Sequence, residues 1–349
     1  MLWDFFIVPI FTAMKFEFSF IIPVYNRPQE IKELLESFVN VRGIDTCEIV
    51  IVEDGSDLLC KDIVSLFKNK LAISYYFKKN SGPGDSRNYG MKYAQADYFI
   101  ILDSDVLLPS DYIINLKKHL KTQFTHCFGG PDKANQSFSP VQKAINYVMT
   151  SLWTTGGIRG REAQKKKFQP RSFNMGLSKQ AFQKSKGFSN IHPGEDPDLS
   201  IRLQQLGFKT ALFSDCFVYH KRRIDWKNYA KQIYKFGLVR PILNTWHPSS
   251  HKILYYFPTL FSLGFLMAIV LLFFDYYFFV LLYLLYFSII FIDAFIQNKN
   301  LKIAFYAIYA TCIQFVSYGW GYLNSTLSIF VFKKPPENTY PKLFFKPKT

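Results

Sequence analysis

Two carboxylates one residue apart, Asp103 and Asp105, follow directly on four apolar residues, Phe99 to Leu102. Such a run reads as a buried parallel strand, so both acids fall at its C-terminal end, the edge at which open α/β sheets bind ligands. Where both acids must lose their hydration shells, the pair is favourable if it shares a divalent cation with oxygen ligands. A nucleotide diphosphate, whose charge needs such a cation, is the client that fits. The alternative at this stage is a solvated strand end at Asp103 and a turn or helix-capping role for Asp105. Other acids sit in similar places: Glu53 and Asp54 end a second strand-like run, and Glu195, Asp196 and Asp198 open a helix, where the dipole favours acids in any case.

The elements that must carry these residues can be read from the pattern. FSFIIP (18–23) reads as a first strand with Val24-Tyr25-Asn26-Arg27 as the loop leaving it. Pro28 then opens a helix whose apolar positions Ile31, Leu34, Leu35 and Phe38 recur at helical spacing. Strands over 48–52 and 73–77 follow, the latter leading through Asn80-Ser81-Gly82-Pro83-Gly84 into a helix from about 85 to 94 that carries Arg87 and Asn88. Strand and helix alternating with short loops is a doubly wound, nucleotide-binding half. No G-x-G-x-x-G follows the first strand, which disfavours the dinucleotide version. Beyond Pro109 the pattern predicts a helix over 141–153, a mobile basic loop over 159–171, a helix with Leu199, Leu203 and Leu206 on its apolar face, and short strands over 210–213 and 217–219 that end at His220.

Composition divides the chain into two parts. Of its 349 residues 18% are aromatic, with 37 Phe and 22 Tyr concentrated after Tyr255, so a soluble part precedes a membrane part. The net charge of +16 fits an anionic membrane face, and no zinc-finger or RNP-like pattern argues for nucleic acid. Five scattered cysteines with no C-x-x-C exclude a disulfide framework and fit a reducing cytoplasm. Residues 1–14 are apolar but too short to span a bilayer, and Met14 is the expected true start. From Lys221 to Arg240 the chain is basic and amphipathic, which suits a helix on the cytoplasmic membrane face. Three apolar stretches, 253–274, 276–296 and 303–322, each have roughly the twenty residues a spanning helix needs. The turn at Asp275 lacks Lys and Arg, whereas Lys252 and Lys299 to Lys302 flank the other ends, so the enzyme domain and the second loop are expected inside. Three full spans would put the Lys-rich tail outside, so the third stretch, with Gln314, Ser317, Gly319, Gly321 and Asn324, is read as spanning, re-entrant, interfacial or packed in a bundle.

The ordered set FIIPVYNRP, IVEDGS, GPGDSRNYG, LDSD, FNMGLSKQAF, GEDPDL and VYH (218–220) resembles glycosyltransferase family 2, over roughly 18–223. The hydrophobic end is similar to membrane-attached members that build cell-surface polysaccharide. The resemblance implies a GT-A fold: α/β, Rossmann-like, a mixed, mostly parallel sheet with helices on both faces, followed by C-terminal transmembrane helices. It implies a domain order of 15–223 for the GT-A unit, 224–252 for a basic interfacial segment, 253–332 for two to three transmembrane helices and 333–349 for the tail. Carried over residue by residue, it places Pro23, Tyr25 and Asp54 at the nucleobase, Arg87 at the base or phosphates and Asp103 at the ribose or the metal. Asp105 would ligate Mg2+ or Mn2+ with His220 as a further contact, Asn174 and Met175 would shape the donor-sugar side, and Asp196, beside Glu195, would be the general base. Glu53 and Val106 depart from the commoner D-D-G-S and three-acid patterns.

The implied activity is sugar transfer from a UDP- or GDP-sugar to a hydroxyl of a lipid-linked or glycan acceptor at the inner membrane, as a multi-pass protein with its catalytic domain in the cytoplasm and no nucleic-acid partner. One base and one metal, without a second carboxylate placed as nucleophile, imply inversion. Two alternatives stay open: a polyprenyl-phosphate sugar synthase, and a non-catalytic membrane-anchored nucleotide-sugar-binding protein. A processive synthase should carry Q-x-x-R-W, which Gln204-Gln205-Leu206-Gly207-Phe208 does not supply.

Overall fold

A computed structural model describes residues 16–133, 138–155, 168–220 and 225–345. The expected start at Met14, most of the basic loop 159–171, the residues just after His220 and the last lysines lie outside the described residues.

The chain runs β1 (Phe18–Val24), α1 (Pro28–Val39), β2 (Cys47–Asp54), α2 (Lys61–Ser65), β3 (Ile73–Lys78), α3 (Pro83–Tyr93), β4 (Tyr98–Leu102), β5 (Val106–Leu107), α4 (Tyr112–Thr122), β6 (Cys127–Gly129) and β7 (Asp132–Lys133). It continues through α5 (Pro140–Thr150), α6 (Leu152–Thr155), β8 (Asn174–Ser178), α7 (Lys179–Ser185), α8 (Glu195–Gln205), β9 (Thr210–Leu212) and β10 (Val218–His220). The main sheet has the order β3-β2-β1-β4-β8-β6-β9, with only β8 antiparallel to its neighbours. A small second sheet, β5-β10-β7, brings His220 opposite Val106. The mixed, mostly parallel sheet with helices on both faces that the sequence implies is therefore present.

Alternation along each strand distributes the apolar residues to two cores. Phe20, Ile22, Ile49, Ile51, Ile100 and Leu102 face α1 and α4, whereas Ile21, Val50, Val52, Phe99 and Ile101 face the side covered by α3 and α8. Continuing that alternation past the strand ends sorts the acids. Glu53 falls on the α1 side and is fully buried, accepting hydrogen bonds from the Ser56 hydroxyl, the Cys60 amide (2.9 Å) and the Tyr75 hydroxyl (3.0 Å). Asp54 falls on the α3 side.

After the sheet come α9 (Trp226–Trp246), α10 (Phe257–Leu272), α11 (Phe278–Asn298), α12 (Leu301–Thr326) and α13 (Pro336–Thr339). Three helical segments, Ile253–Leu272, Phe278–Asn298 and Leu301–Val331, are long and apolar enough to cross a membrane. The basic segment expected to present an amphipathic face differs from that expectation. The apolar residues Tyr229 and Ile233 of α9 are buried in a core shared with Ala304, Ala307 and Ala310 of α12, because two apolar stripes bury more surface against each other than either does alone. The Lys-rich tail also folds back. Phe344 bridges Ile191, Leu343 accepts from the His192 amide (2.8 Å), and the Phe345 amide donates to the Asn190 carbonyl (2.9 Å).

Glu53→Ala removes the acceptor of four hydrogen bonds, from the Ser56 hydroxyl, the Cys60 amide and thiol and the Tyr75 hydroxyl, so a loss of about 1–3 kcal/mol is expected. A lowered thermal midpoint of the nucleotide-free protein checks it, with Tyr75→Phe expected to be the milder change.

Candidate functional site

The site forms where β1, β2 and β4 end. Each acid at these ends meets a cation supplied from far along the chain. The Asp54 carboxylate accepts from Lys78 Nζ (2.6 Å) and from the amides of Ser81 (3.0 Å) and Gly82 (2.9 Å), which tie the loop before α3 to the end of β2. The Asp105 Oδ2 accepts from Arg27 (2.6 Å), and its Oδ1 lies 3.1 Å from His220 Nε2. Asp103 is half-buried and accepts from Arg87 Nη2 at 2.8 Å. On its other side the same guanidinium, buried by α3 and α8, donates to Glu195 Oε1 at 3.0 Å.

The helix-opening acids separate into three environments. Burial disfavours the charged form of Glu195, but His192 (2.9 Å) and Arg87 outweigh it and hold the carboxyl down at about 2. His192 is in turn raised, since the Glu195 charge outweighs its own burial. Asp198 is pinned between Arg202 (2.7 Å) and His247 (2.8 Å), so it fastens α8 to the end of α9. Asp196 is raised: burial and then the neighbouring Glu195 charge push it up, and Arg87 and Arg171 offset this only in part. Its Oδ1 is buried without a hydrogen-bond partner among the described residues. A carboxylate with one uncommitted buried oxygen and a raised pKa is suited to taking a proton.

Asp103, Asp105 and His220 place ligand atoms within 4.8 Å of one another. Two carboxylates and one imidazole, partly open to solvent, suit a divalent cation such as Mn2+ or Mg2+ that also retains ligand or water oxygens. Burial raises the Asp105 carboxyl, but His220 and Arg27 together hold it well below the usual range, so it is ionised and ready to ligate at neutral pH. A second group, His119, Asp215 and Cys216, is equally close together. Burial pushes the Cys216 thiol up, so it keeps its proton and is a poor ligand.

Most of the expected site residues converge here. Tyr25, 50% exposed at the end of β1, offers a ring to a ligand, and Pro23 lies on β1 in register with Val52. One expectation needs correction: Asn174 and Met175 do not present side chains to a donor sugar. Asn174 is fully buried, accepting from Tyr112 (2.6 Å) and donating to the Cys216 carbonyl (2.8 Å), and Met175 packs in the core under α8, because both faces of the sheet are covered at β8 and alternation sends the two side chains to opposite faces. Arg87, expected at the base or phosphates, pairs with Asp103 and Glu195.

Sequence reasoning passed over Arg27, Lys78 and His192. Arg27 stood within the first loop motif and Lys78 directly after the third strand, so their positions at strand ends were a usable signal. His192 carries no such signal. Phe345 was also missed: its ring covers Gly82, where a Cβ would come within 2.4 Å of it.

A family model described as Glycosyl transferase family 2 matches residues 19–185. An uncharacterized glycosyltransferase of Rickettsia felis is 39% identical over 119 residues, 34% of this chain and 20% of that protein. The minor teichoic acid biosynthesis protein GgaB of Bacillus subtilis is 33% identical over 165 residues, 41% of this chain and 18% of its own length. The matched region thus takes in about a fifth of these relatives. A mannosyltransferase of Pyrobaculum calidifontis, solved with GDP-Man and Mn2+, superposes with a TM-score of 0.50 at 12% identity, over 93% of this chain and 78% of its own, and shares the GT-A fold.

The raised Asp196 depends on the Glu195 charge. Removing that charge with Glu195→Gln should move Asp196 downward in pH, since a like charge no longer opposes its ionisation and Arg87 is freed of a partner. Carboxyl carbon NMR titration of both proteins checks the direction, and an unchanged or raised value contradicts it.

Proposed function

We propose, from the premise that residues 19–185 belong to glycosyl transferase family 2, that this chain is an inverting glycosyltransferase. It moves a sugar from a UDP- or GDP-sugar to a hydroxyl of a lipid-linked glycan acceptor in cell-surface polysaccharide synthesis. The observation that carries the reading is Asp196, a buried carboxylate with a raised pKa and one unpartnered oxygen, beside Glu195, which Arg87 joins to Asp103 of the candidate metal group. Similarity to the teichoic acid protein GgaB supports the surface-polymer part of the reading.

The residues divide the work as follows. Tyr25 packs on the nucleobase and Asp54, organised by Lys78 and the loop before α3, receives its N–H; Pro23 shapes the same end. Asp103 takes the ribose side, and Arg27 faces the diphosphate from beside Asp105. A Mg2+ or Mn2+ ion held by Asp103, Asp105 and His220 would neutralise the leaving diphosphate. Asp196 accepts the acceptor proton as the acceptor oxygen bonds to the anomeric carbon and the bond to the diphosphate breaks. Single displacement is favoured because the other two acids of the α8 start are occupied: Glu195 by Arg87 and His192, Asp198 by Arg202 and His247. The apolar helices hold the domain on the cytoplasmic face of the inner membrane.

Nucleotide release from a panel of UDP- and GDP-sugars, with and without Mn2+, tests this reading. EDTA or Asp105→Ala should abolish turnover and metal-dependent donor binding, and full affinity in EDTA would remove the metal from the mechanism. Asp196→Asn keeps shape but accepts no proton, so donor affinity should persist while transfer falls roughly a hundred- to ten-thousand-fold. Donor binding without turnover by the unaltered protein would mark it as a binding protein.

A further inference from the structure

We infer that α12, although long and apolar enough to cross a bilayer, lies along the membrane surface, so that α10 and α11 form the one hairpin entering the lipid. The inference rests on the membrane reading proposed above and adds the topology.

The first observation is that α9 is held by the enzyme domain at both ends. Tyr229 and Ile233 in its first turns share a core with Ile145 and Val148 of α5, and Leu238, Val239, Ile242 and Leu243 near its other end share a core with Ile191 and Leu343. His247, directly after α9, is hydrogen-bonded to Asp198. A rigid helix tied to one domain at both ends runs along it and cannot project from it.

The second is that α12 is joined to α9 in parallel along its length. Trp226 packs edge-on against Tyr306 and Tyr309, Tyr229 donates to Gln314 (3.0 Å), and Tyr234 accepts from Asn324 (2.9 Å), so the contacts advance together along both helices. The backbones touch where glycines permit it. A Cβ on Gly237 would come within 2.3 Å of the Tyr318 carbonyl, and one on Gly321 within 2.3 Å of the Tyr234 carbonyl. Whatever direction α9 takes, α12 takes too. If α12 crossed, α9 would carry the exposed Lys227, Lys231 and Lys235 into hydrocarbon, where charged side chains are strongly disfavoured.

The third is the return of the chain after α12. Leu343 and Phe345 are hydrogen-bonded to His192 and Asn190 of the enzyme domain. The entry to α10 and the exit from α12 are therefore on one side, which requires an even number of crossings.

The partner that fits the remaining face is an anionic lipid surface. Phe305, Tyr309, Val316 and Trp320 are each more than half exposed and form one stripe of α12, with Tyr and Trp suited to the headgroup level. The opposite stripe, with Thr311 and Gln314, is buried in the bundle. The exposed lysines of α9 supply the complementary charge.

Single-cysteine labelling of the full chain tests this, using a membrane-impermeant maleimide on sealed right-side-out and inverted vesicles. Lys302→Cys and Glu337→Cys flank α12, and Asp57→Cys marks the enzyme domain. The native cysteines, four of them buried, set the background. All three positions should label from the same face, while Asp275→Cys at the hairpin tip labels from the other. Labelling of Lys302→Cys and Glu337→Cys from opposite faces overturns the inference, as does labelling of Asp275→Cys from the enzyme face. Asn338→Cys replaces Glu337→Cys if that variant fails to fold. Release of the protein from membranes by alkaline carbonate is a separate result, and it defeats the membrane reading itself.

Discussion

A single buried guanidinium joins the parts of this site. Arg87, on α3, donates to Asp103 at the end of β4 and to Glu195 at the start of α8, so three elements distant in sequence meet at one side chain. Burial alone would lower its pKa, but the two carboxylates keep it charged. Removing one member of such a buried set leaves an uncompensated charge and costs about 3–5 kcal/mol. The consequence reaches the proposed base: because Arg87 and His192 keep Glu195 ionised, Asp196 sits beside a fixed negative charge and is pushed up. Adjacent acids thus take opposite protonation tendencies, Glu195 held down by His192 and Arg87 and Asp196 pushed up by burial and the Glu195 charge.

Strand alternation gives the two other acids different tasks. Glu53 and Asp54 are neighbours, yet they leave β2 on opposite faces of the sheet. Glu53 turns to the α1 side and is consumed in holding its own loop through Ser56, Cys60 and Tyr75. Asp54 turns to the α3 side and anchors the loop that leads to Arg87. A Glu at the first position is accommodated because that carboxylate is structural here, buried among donors.

The apolar helices are coupled to the candidate site through α8 and the loop before it. Asp198, two residues from the proposed base, is fastened to His247 at the end of α9, and Val239 of α9 sits against Gly194 at the α8 cap. The segment after α12 pairs with Asn190 to His192 and lays Phe345 over Gly82. The loop that orients Glu195 is therefore clamped between the bundle and the returning tail, which ties the proposed acceptor side of the site to the apolar helices.

The sequence by itself determined which strands end in acids and in what order, because an apolar run that stops at a carboxylate encodes both the strand and its edge. From that followed the mixed α/β sheet and the Asp103 and Asp105 pair; the family resemblance added His220, and hydropathy marked the apolar helices that follow the sheet. Tertiary structure decided what each polar side chain faces. Asn174 and Met175 were read as shaping the donor-sugar side, but both faces of the sheet are covered at β8, so alternation buries one side chain against Tyr112 and the other under α8. Arg27 and Lys78 acquire roles only when partners 78 and 24 residues away are brought to them, whereas His192 meets Glu195 three residues on. Among Glu195, Asp196 and Asp198 the family resemblance singled out Asp196, but the residues themselves are all helix-opening acids and carry no sign of their different environments. A carboxylate's proton affinity depends on neighbouring charge and on lost solvent, and here both come from α3, α9 and loops that local sequence does not specify.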